Sequence, residues 1–405
     1  MRSANKAWLL AALSCVALAS AIPAIGADDP KSLLPPGFGE PEQGAEKAPP
    51  SGQPKPSEAS QLPTSPSDAT LTGGVALDGV PDGLVTEDGE EELVDLTNLQ
   101  DLPPGRRRST AQVGVLGPSD GDMGSRAFGD QNGRYLSFLM RKTPAPIASR
   151  WASILLRRAL LSKADTPRGV TGSDWVAERA WLLLRMGEAD AARMLVQSVD
   201  VDQYSPKMFQ VAMQTSLANA DPAGMCAMVE PASASSREPA WGFARAICSA
   251  LAGESAEASA QIDSAKARSS NGIDGLLAEK VVGAGINTRR AVVIQWDDVP
   301  VLTAWRFGLA TATAVDIPDR LFSGTSPRLN AWRARAPLID VDKRMHDADI
   351  AAALGVFSSS ALVDFYGQVA DVTDASVISG SPQDLLRKAY EEAEPSDRID
   401  AMRSL

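Results

Sequence analysis

The chain has one histidine, His346, and three cysteines, Cys15, Cys226 and Cys248. Those counts limit the chemistry at once. A structural or catalytic zinc site draws three or four ligands from Cys, His and carboxylate side chains, and one histidine beside two cysteines placed to pair with each other leaves no Cys/His set. A Ser-His-Asp triad would have to use His346, and no Gly-x-Ser-x-Gly turn presents a nucleophile to it. His346 lies in Lys343-Arg344-Met345-His346-Asp347, the polar start of a helical pattern, where a solvated imidazole is expected.

Three further patterns invite a chemical reading. Gly283-Ala284-Gly285-Ile286-Asn287-Thr288 resembles a dinucleotide loop, but that fingerprint needs a strand before it and a third Gly or Ala at its last position. Here Leu276 to Val282 reads as helix and position 288 is Thr, so a turn between helices is expected. Glu254-Ser255 resembles the catalytic glutamate–serine pair of lytic transglycosylases, yet the Gly-Leu-Met-Gln segment that follows in that family is missing. The adjacent carboxylates Asp297-Asp298 and Glu391-Glu392 would not face each other on a helix and read as solvated. No catalytic, cofactor-binding or metal-ligating residue is assigned.

Cys226 and Cys248 read differently. Each lies in a helical segment, one opened by Asp221-Pro222 and the other by Glu238-Pro239, and their midpoint falls in the loop Pro231–Glu238. Two antiparallel helices joined there bring both cysteines to one level, which predicts a disulfide. The alternative is a pair of buried thiols acting as small apolar residues.

The elements that carry these residues repeat. Trp175, Arg179, Ala180, Gly187, Glu188 and Ala192 recur 66 residues later as Trp241, Arg245, Ala246, Gly253, Glu254 and Ala258. Midway, Leu217-Ala218-Asn219-Ala220-Asp221 follows Leu184-Arg185-Met186-Gly187-Glu188 by 33 residues. A period of that length with a small-residue turn is the mark of stacked helical hairpins, and recurrent Trp175 and Trp241 should pack between them. Ser205-Pro206, Asp221-Pro222, Ser326-Pro327 and Ser381-Pro382 pair an N-cap residue with a first-turn proline. Helical periodicity also covers 134–140 and 147–161, the latter with Trp151, Leu155, Ala159 and Leu160 on one stripe. It resumes at 301–314, 329–336, 347–354, 359–369 and 385–393, while Ala291–Ile294 could form a short strand. Residues 128–405 are thus expected to be an all-α, elongated α-solenoid of tetratricopeptide-like hairpins.

Two segments precede it. Residues 1–27, with Arg2 and Lys6 before an apolar run from Ala7 to Leu18, have the pattern of a secretory signal. Cys15 falls inside that run, without a lipobox leucine three residues before it. Residues 28–127 are expected to be a disordered Pro/Gly/acidic segment. Positions 28–118 hold 14 of the 28 prolines, and positions 28–105 hold 16 acids against three lysines. Most of the net charge of −12 therefore belongs to this segment. The remainder is nearly neutral, without the basic excess that nucleic-acid binding requires. Within the segment, Leu33–Phe38 and Leu93–Leu99 are apolar islands, read as incidental residues of a tether or, in the alternative, one of them as a short motif that docks on a partner. Arg106-Arg107-Arg108 reads as a solvated charge cluster.

The chain resembles a group of uncharacterised secreted helical-repeat proteins of Gram-negative bacteria. The resemblance rests on Ser32-Leu33-Leu34-Pro35-Pro36-Gly37-Phe38-Gly39, on Ile147 to Arg158 (Ile-Ala-Ser-Arg-Trp-Ala-Ser-Ile-Leu-Leu-Arg-Arg), on Asp174-Trp175-Val176-Ala177-Glu178-Arg179-Ala180-Trp181 and on Leu302-Thr303-Ala304-Trp305-Arg306-Phe307-Gly308-Leu309. It carries no assigned activity. The antifreeze glycopeptide-like label sometimes given to such proteins finds no Ala-Ala-Thr array here. The expected function is a non-enzymatic scaffold or adaptor, periplasmic or secreted, binding a protein of the cell envelope without cofactor or metal. The other expectation is an envelope enzyme acting on glycan through acidic residues in the solenoid groove.

Overall fold

A computed structural model describes residues 107–405 apart from 270–271, 287–291 and 324. The expected export signal, the apolar islands and residues 28–106 of the expected Pro/acidic segment lie outside the described residues. Within them the protein is all-helical, with seventeen α-helices and one two-stranded antiparallel ribbon, β1 (Gln112–Val113) with β2 (Ala164–Asp165). No described helix is long and apolar enough to cross a membrane.

The first helices are α1 (Gly133–Lys142), α2 (Arg150–Leu161), α3 (Gly172–Arg185), α4 (Ala189–Val196) and α5 (Pro206–Ala218). Short polar side chains start all but α4: Asn132, Ser149, Thr171 and Ser205 each accept a backbone N–H of the first turn, satisfying donors that the helix itself leaves free. A 3₁₀ turn (Pro222–Met228) and α6 (Val229–Ser235) lead to α7 (Pro239–Leu251), α8 (Ser255–Arg268) and α9 (Ile273–Gly285). Then come α10 (Ala304–Ala312), α11 (Asp319–Ser323), α12 (Arg328–Arg335), α13 (Met345–Ala353), α14 (Ser359–Val372), α15 (Ala375–Ile378), α16 (Pro382–Glu391) and α17 (Pro395–Ser404).

One turn recurs. After α3, Gly187 N–H bonds to the Leu184 carbonyl and Glu188 N–H to that of Leu183; after α7, Gly253 and Glu254 do the same with Ala250 and Ser249. This double bond set is the Schellman cap, whose central residue must be left-handed. Gly187 (φ +91°) and Gly253 (φ +84°) supply it, and so, after α5, does Ala220 at φ +51°. Ala314 and Gly355 close α10 and α13 in the same way.

Between the turns, aromatic side chains tie each helix to a later one. Phe209 of α5 meets Trp241 of α7, Phe243 of α7 meets Trp305 of α10, and Phe307 of α10 meets Trp332 of α12, with ring centroids 5.9–6.3 Å apart. Trp175 and Trp241 are both fully enclosed, at 0% and 2% exposure. The path then returns on itself. α10 packs on α5 as well as α9, so closely that no side chain could stand at Gly308, which faces the backbone of Leu217. Ala331 of α12 lies against Gly187, and Arg335 pairs with Asp190 of α4.

Three local expectations are corrected. Packed structure begins well before residue 128. β1 is held by Arg179, a fully buried guanidinium that donates to the carbonyls of Val113 (2.9 Å), Leu160 (2.7 Å) and Ser162 (2.7 Å). Burial pushes the Arg179 pKa down to about 9, so it remains charged at neutral pH and needs those dipoles. Composition gave no hint of order there, because contacts with distant residues, the β2 strand, Leu161, Arg179 and Asp200 among them, rather than local periodicity, hold residues 107–116. Arg107 and Arg108 stay exposed, as expected of a solvated cluster, while pairing with Asp202 and Asp200. The α2 stripe is the second correction: Leu160 is buried as expected, but Trp151 is 79% and Leu155 56% exposed, because α2 turns Ser153 and Leu161 to the core along with Leu160. The third is the short strand: Val292–Ile294 have no regular structure.

Candidate functional site

Cys226 and Cys248 form a disulfide, with sulfurs 2.08 Å and Cα atoms 5.4 Å apart. Cys226 stands in the 3₁₀ turn and Cys248 in α7, joined through Ser236–Glu238, so the hairpin expected from the spacing brings them together. The other singled-out residues stay apart. His346 is exposed on the first turn of α13; Glu254, Asp297, Asp298, Glu391 and Glu392 are all exposed. Gly283 lies inside α9 and Gly285 ends it, so no strand delivers that segment to a phosphate. Glu188 does not share the exposure of its counterpart Glu254. It is buried and accepts from Arg157 (2.6 Å), which also donates to the Gly355 carbonyl (3.0 Å). Burial raises the Glu188 pKa despite Arg157 and Arg335. This pair pins α2 to the α3–α4 turn and to the end of α13.

The structure assembles a different site, where α1, α3 and α5 meet. α3 is the central helix: apart from Asp174, every one of its residues is buried, a consequence of the run Trp175-Val176-Ala177 and Trp181-Leu182-Leu183-Leu184. Glu178 sits in that run, one turn after Asp174. Charged side chains are almost never fully buried unless paired, and Glu178, 2% exposed, is paired twice. Arg141 of α1 donates through Nε to both carboxylate oxygens, at 2.9 and 3.1 Å. Lys207 of α5 also reaches Oε1. One carboxylate thus fastens three helices.

Above this triad lies a cavity of about 660 Å³, inside the range of small-ligand and peptide-anchor pockets. Arg134, Arg141 and Lys207 supply its cations, Phe138 and Val170 its apolar walls, and Thr171 and Asp174 its edge at the start of α3. Both acids are engaged as acceptors, Glu178 by the two cations and Asp174 by the hydroxyl of Ser205 (2.6 Å). The cations are less enclosed than the acid they share: the Arg141 side chain is 46% and that of Lys207 34% exposed. Phe138 and its neighbours Tyr135 and Leu139 form an exposed apolar edge on α1. Arg134 is steadied by the Gly169 carbonyl at 3.2 Å.

Sequence reasoning missed this site. The signal available was Glu178-Arg179, two charges in the middle of an otherwise apolar helix. A group that costly to bury must have partners, although which ones cannot be told from the helix alone. Among the described residues no cluster of three or more His, Cys, Asp or Glu is arranged to hold a metal ion. Comparison with protein-family profiles, with curated proteins and with solved structures returned no match.

Proposed function

We propose that the chain is a non-enzymatic scaffold or adaptor of an oxidising compartment, periplasmic or secreted, that holds a protein partner through the α1/α3/α5 cavity. Helices α3–α9 are read as tetratricopeptide-like hairpins of an α-solenoid, a reading supported by the recurring caps at 187, 220 and 253. The Cys226–Cys248 bond fits an oxidising environment, as does the signal-like start of the sequence.

The observation that carries the proposal is the state of the two acids in the cavity. A glycan-acting enzyme needs two carboxyls roughly 5–10 Å apart that are available to exchange protons or attack. Here Glu178 is the counter-ion of two cations and Asp174 accepts a hydroxyl, while the exposed groups are cations and an aromatic edge. Such surfaces bind, and they offer no base for chemistry. Part of the surface between the hairpins is covered by α10 and α12, so the partner site is assigned to the outer edge of α3.

The test is photocrosslinking in cells with p-benzoylphenylalanine at position 138 and, as control, at Ile399 on α17. A defined partner captured from 138 and not from 399, and lost when Arg134→Glu reverses the rim charge, is the expected result. Equal capture at both positions, or capture indifferent to Arg134→Glu, would refute it.

A further inference from the structure

Resting on that reading, we infer that the cavity recognises a single carboxylate side chain within an extended segment of the partner, next to a large apolar side chain. The charges of the lining lead to this. Three cations, Arg134, Arg141 and Lys207, stand against two acids, Asp174 and Glu178, so the lining keeps one positive charge. The cations that carry it are partly exposed, and an uncompensated positive charge in a concave site draws an anion to it; one carboxylate balances it. A polyanion would meet no further cation inside the cavity and gains little over a single acid.

Geometry adds the orientation. Arg141 commits Nε and Nη2 to Glu178, and a guanidinium carries five N–H donors. Lys207 holds the same carboxylate on a side chain that keeps a third of its exposure. Glu178 therefore works as a fixed spacer: it holds two cationic heads side by side and lets an incoming carboxylate share them. Phe138 stands one helical turn before Arg141 on α1, so the two lie on the same face. Phe138 and Val170 both line the cavity. A residue adjacent to the acid would lay its apolar side chain there, and Tyr135 and Leu139 would extend the contact along α1. An apolar anchor beside a desolvated, charge-assisted contact is the arrangement expected of an interface hot spot.

The test uses the full chain and four blocked, fluorescently tagged peptides: acetyl-Gly-Ser-Glu-Leu-Phe-Ser-Gly-amide, its Glu→Gln version, its Leu-Phe→Ser-Ser version, and a Glu-Glu version with a second acid before the first. Anisotropy should show binding of the first, weakened at least ~10-fold by the Gln or Ser-Ser change and improved less than ~3-fold by the added acid. Phe138→Ala and Arg134→Met, both exposed positions, should each weaken it ~10-fold with circular dichroism unchanged. Lys207→Met should weaken the Glu peptide and leave the Gln peptide unaffected. Equal affinity for the Glu and Gln peptides overturns the inference. So does a gain that grows with every added acid, or binding confined to peptides ending in a free carboxylate. If a partner still crosslinks from position 138 while no acidic peptide binds, the scaffold reading stands and the carboxylate reading falls. If neither is seen, both fall.

Discussion

Truncating Trp241 to alanine tests the packing that joins the hairpins. The indole is 2% exposed and meets Phe209 edge-on, with centroids 6.3 Å apart. Losing a core aromatic costs about 3–5 kcal/mol through lost transfer energy and the cavity left behind. The ring pair pushes the value up by about 1 kcal/mol. One feature pulls the other way: the Trp241 Nε1 donor is buried with no acceptor, and removing an unsatisfied donor returns about 1 kcal/mol or more. The expected net loss is about 4 kcal/mol. With an unfolding entropy of ~2.1 cal/mol/K per residue over roughly 300 residues, that shifts Tm by about 6 °C in calorimetry if the chain unfolds as one unit. Trp241→Phe keeps a ring beside Phe209 and sheds the orphan donor, so it should cost less than about 1.5 kcal/mol. Hydrogen exchange should locate the damage, with protection falling first in α5, α7, α8 and α9 and last in α14–α17, which do not touch this ring. An unchanged Tm, or Trp241→Phe as damaging as Trp241→Ala, would refute the account.

Three other outcomes follow from single features. Replacing Cys226 and Cys248 by serine frees a loop closed over a separation of 22 residues, worth about 3 kcal/mol in denaturant unfolding, and reducing agent should shift the unsubstituted protein equally. Gly187→Ala should be worse than Gly253→Ala by at least about 1 kcal/mol. Both residues are left-handed, but a methyl at 187 would lie 2.9 Å from Ala331 Cβ and one at 253 meets nothing within 4 Å; paired thermal melts decide it. Tyr204 donates to the Val196 carbonyl, and burial pushes its pKa up to about 12. A raised acid favours the folded state below its ordinary value near 10, and the favour is lost as pH rises through about 12. Absorbance at 295 nm should show late-titrating phenols, Tyr204 and Tyr366, and Tyr204→Phe should remove one of the two.

How much of this was legible before the fold was known differs by element. Helix starts such as Ser205-Pro206 and Ser381-Pro382, the turns at Gly187 and Gly253, the burial of Trp175 and Trp241 and the Cys226–Cys248 pair all follow from contacts near in sequence or from a repeated spacing. Periodicity, capping and turn chemistry are local, and local physics is written in the chain. Trp305, 64 residues after Trp241 and again two residues before a phenylalanine, was not read as part of that series, and its place showed only once Phe243 was seen against it.

Other features needed the tertiary structure. The wheel of α2 gave an apolar stripe, but which side of a helix with two usable faces turns inward depends on its neighbours, and Trp151 was left outside. Residues 107–127 carry no periodic pattern, and their order comes from partners distant in sequence: the pairing of β1 with β2, the Leu161 carbonyl, Asp200 and the Arg179 guanidinium. The cavity is the clearest case. Arg141, Glu178 and Lys207 lie on three helices, separated by 37 and 29 residues. Sequence could say that Glu178, set among tryptophans and leucines, required cations. Only the packing of α1 and α5 against α3 decided which cations they were, because a buried carboxylate is satisfied by whatever charge the fold places within hydrogen-bonding reach.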